Sequence, residues 1–257
     1  MTTTRRYAVE LAYRGTAYSG WQRQPNAVSV EETLDTALST ILGEPVKLVG
    51  CGRTDAGVHA SDYVAHFDLT GQLPPRIIGR LNRYLPEDIA LRRFVEVSPE
   101  FHARFHATGR EYTYRISLVK DPFRPDTVSW LPALGPLDTA AMQETASAIL
   151  GYDAFATFCK TNSDAFTMRC DLHHSRWTFG EREWEYHVGA NRFLRGMVRL
   201  IVGTCMQVGA GKLTLQQVTD ALDRQSRLPR PLSAPAEGLF LSAVHYSDRT
   251  TWIGVTY

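Results

Sequence analysis

The sequence predicts an α+β protein with mainly antiparallel strands, arranged as two halves that each set strands around a helix of similar size. Three observations carry this. Stretches of alternating apolar residues occur in both halves, at 7–13 and 111–119. Between such stretches lie segments with 3.6-residue periodicity and recognisable caps. The hydrophobic fraction of 44% over 257 residues is enough for a real core, while no stretch approaches the roughly 18 consecutive apolar residues of a membrane span.

Taken in order, Tyr7, Val9, Leu11 and Tyr13 alternate with Ala8, Glu10, Ala12 and Arg14, which is strand periodicity. Ser29 with Glu32 makes a capping box for a helix whose apolar face is Val30, Leu34, Ala37, Leu38 and Ile41, with Gly43 as its stop. Val46 to Val49 reads as a strand that runs into a loop, 51–59, with a glycine near each end. Tyr63–Asp68 and Ala90–Val97 read as strands, and 72–86 as loop and helix. In the second half, which begins near Phe105, Tyr112, Tyr114, Ile116 and Leu118 are expected to face one way along a strand over 111–119. Asp138 caps a helix that ends at Gly151. Trp184, Tyr186 and Val188 mark a strand, and a helix is expected from Asn191 to about Val208. Thr214, boxed by Gln217, opens another helix to about Arg224. A proline-rich loop over 225–237 and a strand over 239–246 follow.

Composition narrows the function classes. The polar, basic start, Met1–Arg6, lacks the apolar core of a secretory signal, so a cytoplasmic protein is expected. Cys51, Cys159, Cys170 and Cys205 form no C-x-x-C pair and read as free thiols. Cys170 and His173 have C-x-x-H spacing, with His174 and Cys159 nearby. A zinc site there would need four ligands at compatible spacing, and ordinary packing is the competing reading. The net charge of +1 does not announce a nucleic-acid binder. Only Lys47, Lys120, Lys160 and Lys212 of the 28 basic residues are lysine. Such a bias suits bidentate phosphate contact and stacking on bases, and equally suits a bias of the source genome.

Several motifs fail. Gly209-Ala210-Gly211-Lys212 lacks the first glycine and the final Ser or Thr of a phosphate loop, since Met206 and Leu213 stand there. His102 and His106 have helical i, i+4 spacing, but Ala103 occupies the place of a zinc-protease glutamate. Neither a nucleophile elbow nor a dinucleotide fingerprint is present, so no cofactor is expected. In the helix expected from Asn191, the residues Phe193, Leu194, Met197, Val198, Ile201 and Cys205 share one face, and Arg192, Arg195 and Arg199 lie on the other. That stripe is either a solvated face or one turned toward an anionic cleft or a buried carboxylate.

One segment is far more specific. Gly52-Arg53-Thr54-Asp55-Ala56-Gly57-Val58-His59-Ala60 resembles the active-site motif of the tRNA pseudouridine synthase A (TruA) family. Other segments agree in order: Tyr18-Ser19-Gly20-Trp21-Gln22-Arg23-Gln24, Leu81-Asn82 with Leu85-Pro86, Phe101-His102-Ala103-Arg104, Tyr112-Thr113-Tyr114, Phe193 with Met197-Val198-Arg199, and Glu237-Gly238-Leu239. The resemblance spans about Tyr7 to Tyr246. It departs at Asp62-Tyr63, where the family usually has Gly-Gln before the strand that here continues Val64-Ala65-His66-Phe67.

The resemblance implies two α/β halves packed around a continuous antiparallel sheet with the active cleft between them: here 1–104 with the aspartate loop, and 105–257 with the base-stacking tyrosine and the arginine helix. It implies a homodimer, so that one tRNA touches both subunits, and a target uridine in the anticodon arm, at tRNA positions 38 to 40. No cofactor is implied. Asp55 matches the catalytic carboxylate, acting as nucleophile or as base, and Arg199 its compensating cation. Tyr112 matches the tyrosine that stacks on the target base, and Leu239 the apolar floor. Arg53 matches the arginine that evicts the base and holds the RNA backbone, with Arg192 and Arg195 as further phosphate contacts. A non-catalytic RNA-binding module is the alternative, and an aspartate-based, metal-dependent hydrolase a further rival.

Overall fold

The computed structural model describes residues 3–132, 135–161, 166–247, 249, 252 and 255–256; the leading Met1 and Thr2 lie outside the described residues. The chain forms two compact units, Met1–Thr108 with Phe240–Tyr257, and Gly109–Leu239. This division differs from the single cut expected at 104/105, because the C-terminal segment returns to the first unit.

In the first unit, β1 (Thr4–Tyr13) lies between β3 (His59–Thr70) and β4 (Ile89–Val97), antiparallel to both, with Val9 opposite Ala65 on one side and Phe94 on the other. The short β2 (Val49–Gly50) pairs with β3, and β10 (Val255–Thr256) pairs with β4. β9 (Leu239–His245) runs parallel to β3, with Phe240 opposite His59 and Leu241 opposite Ala60. Helix α1 (Val30–Leu42) starts as its sequence dictates: the Ser29 hydroxyl accepts from the Glu32 N–H, and Gly43 ends it at φ 77°. Helix α2 (Ile77–Tyr84) is tied to β4 by Asn82, whose amide donates to the Leu91 carbonyl and accepts from its N–H. Tyr7, Phe67 and Phe94 pack ring to ring in the core.

The strand expected over Val46–Val49 shrinks to Val49–Gly50. Val46 and Leu48 are buried, which explains the apolar alternation, but their N–H groups donate to the side chains of Ser39 and Asp35 on α1 rather than to a neighbouring strand.

In the second unit, β8 (Glu183–Ala190) is central, antiparallel to β5 (Gly109–Ser117) and to β7 (Leu172–Phe179), and β6 (Ser129–Trp130) pairs with the end of β5. Helix α3 (Thr139–Ala148), capped by Asp138, and α5 (Leu215–Asp223), with both bonds of the Thr214–Gln217 capping box, match the sequence. Leu118 falls outside β5 and is 41% exposed, so it does not continue the inward face of Tyr114 and Ile116.

Helix α4 departs most. It runs Met197–Gly209, about one and two-thirds turns shorter at its start than expected. Gly196 sits at φ 71°, a left-handed conformation outside the helix, and places Arg192 and Arg195 in the preceding loop. The remaining helix has no broad solvated face: Leu200, Val202, Gly203 and Thr204 are buried as well as Met197, Val198, Ile201 and Cys205. A helix apolar all round is a core helix. Arg199 is the basic residue it carries, and the expected three-arginine stripe does not exist as a helix face.

Candidate active site

Within the first unit, the loop 51–58 is fixed from several directions. The Cys51 N–H donates to the Val64 carbonyl, and the Tyr63 hydroxyl donates to the Gly52 carbonyl. Thr54 is buried; its hydroxyl bonds the Tyr13 hydroxyl at 2.9 Å, and its carbonyl accepts from the Trp21 N–H. The Asp55 carbonyl accepts from Val58, and Gly57, at φ 77°, donates to the Tyr18 carbonyl. Asp55 is thus partly buried on a loop whose backbone is bonded before and after it, while Arg53 is exposed.

The segment Tyr18–Trp21 reaches this loop only because Gly20 has no side chain. A Cβ there would lie 2.3 Å from the Thr54 carbonyl oxygen, and the residue is at φ +91°. Gly15 similarly allows the close approach of Val58, whose carbonyl oxygen would stand 2.0 Å from a Cβ. The two motifs in which the family resemblance is densest are therefore one local structure.

Asp62 and Tyr63, where the chain departs from the family pattern, have distinct roles. Asp62 takes two bonds from the Arg249 guanidinium, at 2.6 and 2.7 Å, and one from the Val244 N–H; Arg249 and Arg93 also both bond Glu10. This alternating charge cluster fastens the C-terminal segment to the strands of its unit. Tyr63 is fully buried and stacks on Trp21 with ring centroids 4.0 Å apart. The Phe101–Arg104 step is also held, since Ala103 donates to Nδ1 of the buried His66 and accepts from the Tyr246 hydroxyl.

Within the second unit, Arg199 sits in the first turn of α4. Its Nε donates to the Ala234 carbonyl at 2.6 Å, and its own carbonyl accepts from the Ala234 N–H. The proline-rich segment can lie this close because Gly203 lacks a Cβ, which would stand 2.0 Å from the Leu232 oxygen. Tyr112 is partly buried on β5 and meets Phe193 edge to face at 5.0 Å. Arg195, exposed, accepts at its carbonyl from Lys160, and partly buried Arg192 donates to the Thr167 carbonyl at 3.5 Å. Leu239 is buried where β9 begins.

Sequence reasoning did not single out Tyr114. It is fully buried; burial above all pushes its phenol well up, with Glu237 acting in the same sense and Arg199 opposing. The ring also packs under Gly238. Tyr114 thus packs against the Glu237-Gly238-Leu239 turn, a role that the Tyr-x-Tyr pattern left open. Ala234 gave no signal either, because its contribution is made by backbone atoms. Among the described residues, no group of three or more His, Cys, Asp and Glu is placed to hold a metal ion, and no helix is long and apolar enough to cross a membrane.

A family model described as tRNA pseudouridine synthase matches residues 145–247, the stretch that holds Arg199 but not the aspartate loop. The likeness extends along the chain. It is 42% identical over 246 residues to the tRNA pseudouridine synthase A of Parabacteroides distasonis, covering 95% of this chain and 97% of that one. The enzymes of the same name from Bacteroides fragilis and Bacteroides thetaiotaomicron are 43% and 44% identical, over 95% of this chain and 97% and 91% of theirs. The chain belongs to the tRNA pseudouridine synthase A family.

Proposed function

We propose that this protein isomerises uridine to pseudouridine in the anticodon arm of tRNA, at positions 38 to 40, with Asp55 as the catalytic carboxylate. Family membership supports the coarser part, tRNA pseudouridylation by an isomerase. The observation that carries the assignment of Asp55 is its place on a loop bonded through Gly52, Thr54, Asp55 and Gly57.

The reaction breaks the bond from ribose C1′ to uracil N1, turns the base, and joins C1′ to C5; N1 gains a proton and C5 loses one. Nothing is oxidised and no group leaves, so the chemistry needs no cofactor. The target base must first be flipped out of its stack, at a cost of a few kcal/mol. In this reading Asp55 attacks the sugar or base, or removes a sugar proton, and must be ionised to do so. Arg199, oriented by Ala234, holds that charge. Tyr112 stacks on the base, Leu239 floors its pocket, and the exposed Arg53 helps evict the base and holds the RNA backbone. Arg192 and Arg195 contact phosphates, which predicts salt-sensitive binding. The protein works as a cytoplasmic homodimer, one tRNA touching both copies.

The test is to incubate the purified protein with unmodified tRNA, without added cofactor, and map pseudouridine. Asp55→Ala should retain tRNA affinity and lose turnover. Pseudouridine appearing only outside positions 38 to 40 would overturn the target, and turnover surviving in Asp55→Ala would overturn the site. Tight tRNA binding by the unaltered protein with no isomerisation would favour the non-catalytic module, and activity lost in EDTA the hydrolase. Sedimentation of the free protein as a monomer would remove the dimer.

A further inference from the structure

We propose that Tyr63 is a positioning residue for the Asp55 loop: wedged against Trp21, its hydroxyl fixes the Gly52 carbonyl and so sets where the carboxylate stands. The inference deepens the reading of Asp55 above and rests on it. Tyr63 lies on β3, opposite Leu11 of β1, with no exposed surface. A core position of that kind is filled as well by phenylalanine. What phenylalanine lacks is the bond to Gly52, three residues before Asp55, made at 2.5 Å.

Three further observations show a structure built around that hydroxyl. Trp21 stacks on the Tyr63 ring, and the backbone N–H of Trp21 bonds the Thr54 carbonyl, so the same two residues, one by its hydroxyl and one by its backbone, hold the motif on both sides of Arg53. Tyr13 closes the cluster, 5.5 Å from the Tyr63 ring, and bonds Thr54 through its own hydroxyl. Gly50 leaves the space the rings occupy: a Cβ there would stand 2.1 Å from the Tyr63 oxygen and 2.6 Å from the Trp21 ring. Burial pushes the phenol well above its ordinary range, so the group stays a donor wherever the enzyme works. Tyr63 also stands at a position where the resemblance leads one to expect glutamine.

The experiment compares single-turnover rates at saturating tRNA for the unaltered protein, Tyr63→Phe, Gly50→Ala and Asp55→Ala, with tRNA Kd and the thermal midpoint of each. Tyr63→Phe keeps the stacked ring and loses only the bond; its rate should fall roughly tenfold with Kd within about twofold. Gly50→Ala displaces the hydroxyl from the other side and should show the same pattern, which keeps the test open if the Phe variant folds poorly. A packing role alone would lower the thermal midpoint and leave the rate of folded, saturated enzyme unchanged; that result overturns the proposal, as does a loss confined to Kd. If Asp55→Ala is inactive while Tyr63→Phe and Gly50→Ala turn over at the unaltered rate, only this proposal falls. If Asp55→Ala itself turns over, the assignment of Asp55 falls first.

Discussion

The segments carrying Asp55 and Arg199 are held in different ways. Around Asp55 it is the backbone that is fastened, through bonds at Cys51, Gly52, Thr54, Asp55 and Gly57. Around Arg199 a single residue, Ala234, bonds both the backbone carbonyl and the side chain, whose Nε donates to the Ala234 carbonyl. A carboxylate is carried on a short side chain, so placing its backbone places the charge. A guanidinium swings on a long chain and must be caught near its end. Both arrangements depend on glycines that let one backbone touch another: Gly20 and Gly15 at the aspartate loop, Gly203 under the proline-rich segment.

The comparison predicts where each region breaks. The largest effects belong to the charged groups. Asp55→Asn should cost on the order of 10³-fold in turnover with tRNA Kd little changed. Arg199→Lys, which keeps the charge but not the Nε that bonds Ala234, should cost on the order of 10²-fold. An Arg199→Lys variant with unaltered single-turnover kinetics would show that orientation is immaterial and collapse the contrast.

Next comes Gly20→Ala. Its φ of +91° and the 2.3 Å approach to Thr54 allow no easy accommodation, so stability should drop by about 2–3 kcal/mol, read by denaturant unfolding, with slower turnover as the loop shifts. Gly203→Ala tests the other region. Crowding Leu232 should cost about 1–3 kcal/mol and reduce turnover through Arg199. Gly43→Ala is the control for both: φ is +77° but nothing lies within 4 Å, so about 1 kcal/mol of stability goes while turnover at saturation holds. Equal kinetic damage from Gly43→Ala would mean that the glycine effects are general destabilisation.

The smallest expected effect separates the regions by pH. Burial first, then the charges of Arg6 and His102, lower His66 from 6.5 to about 4. In that window the unfolded chain binds the extra proton, so stability is complete above about 6.5 and declines as pH falls toward 4. The neutral ring accepts from Ala103, and protonation removes that acceptor. Thermal midpoints from pH 4 to 7 should slope upward, and His66→Gln should flatten the curve; an unchanged slope in that variant would assign the acid sensitivity elsewhere.

Much of this was legible in the sequence where the signal is local. The caps of α1, α3 and α5 were readable because Ser29, Asp138 and Thr214 each bond the N–H group three residues on. Strand β7 carries no clear strand signal: only Ser175 and Trp177 of its eight residues are buried, and His173, His174 and Arg176 mask the alternation. The periodicity predicts too early a start for α4 because it continues through Phe193 and Leu194, although the chain takes a left-handed turn at Gly196.

The sequence by itself determined the family, through an uninterrupted motif at 52–60, and the α+β class, through periodicity and caps. Tertiary structure alone decided which atoms hold the motif in shape: the Tyr63 hydroxyl under Gly52, the Ala234 carbonyl beside Arg199, and the absent Cβ atoms of Gly20 and Gly203. These are contacts between residues distant in the chain, made largely by backbone atoms that every residue type shares. A residue letter does not encode them; only the folded path of the chain does.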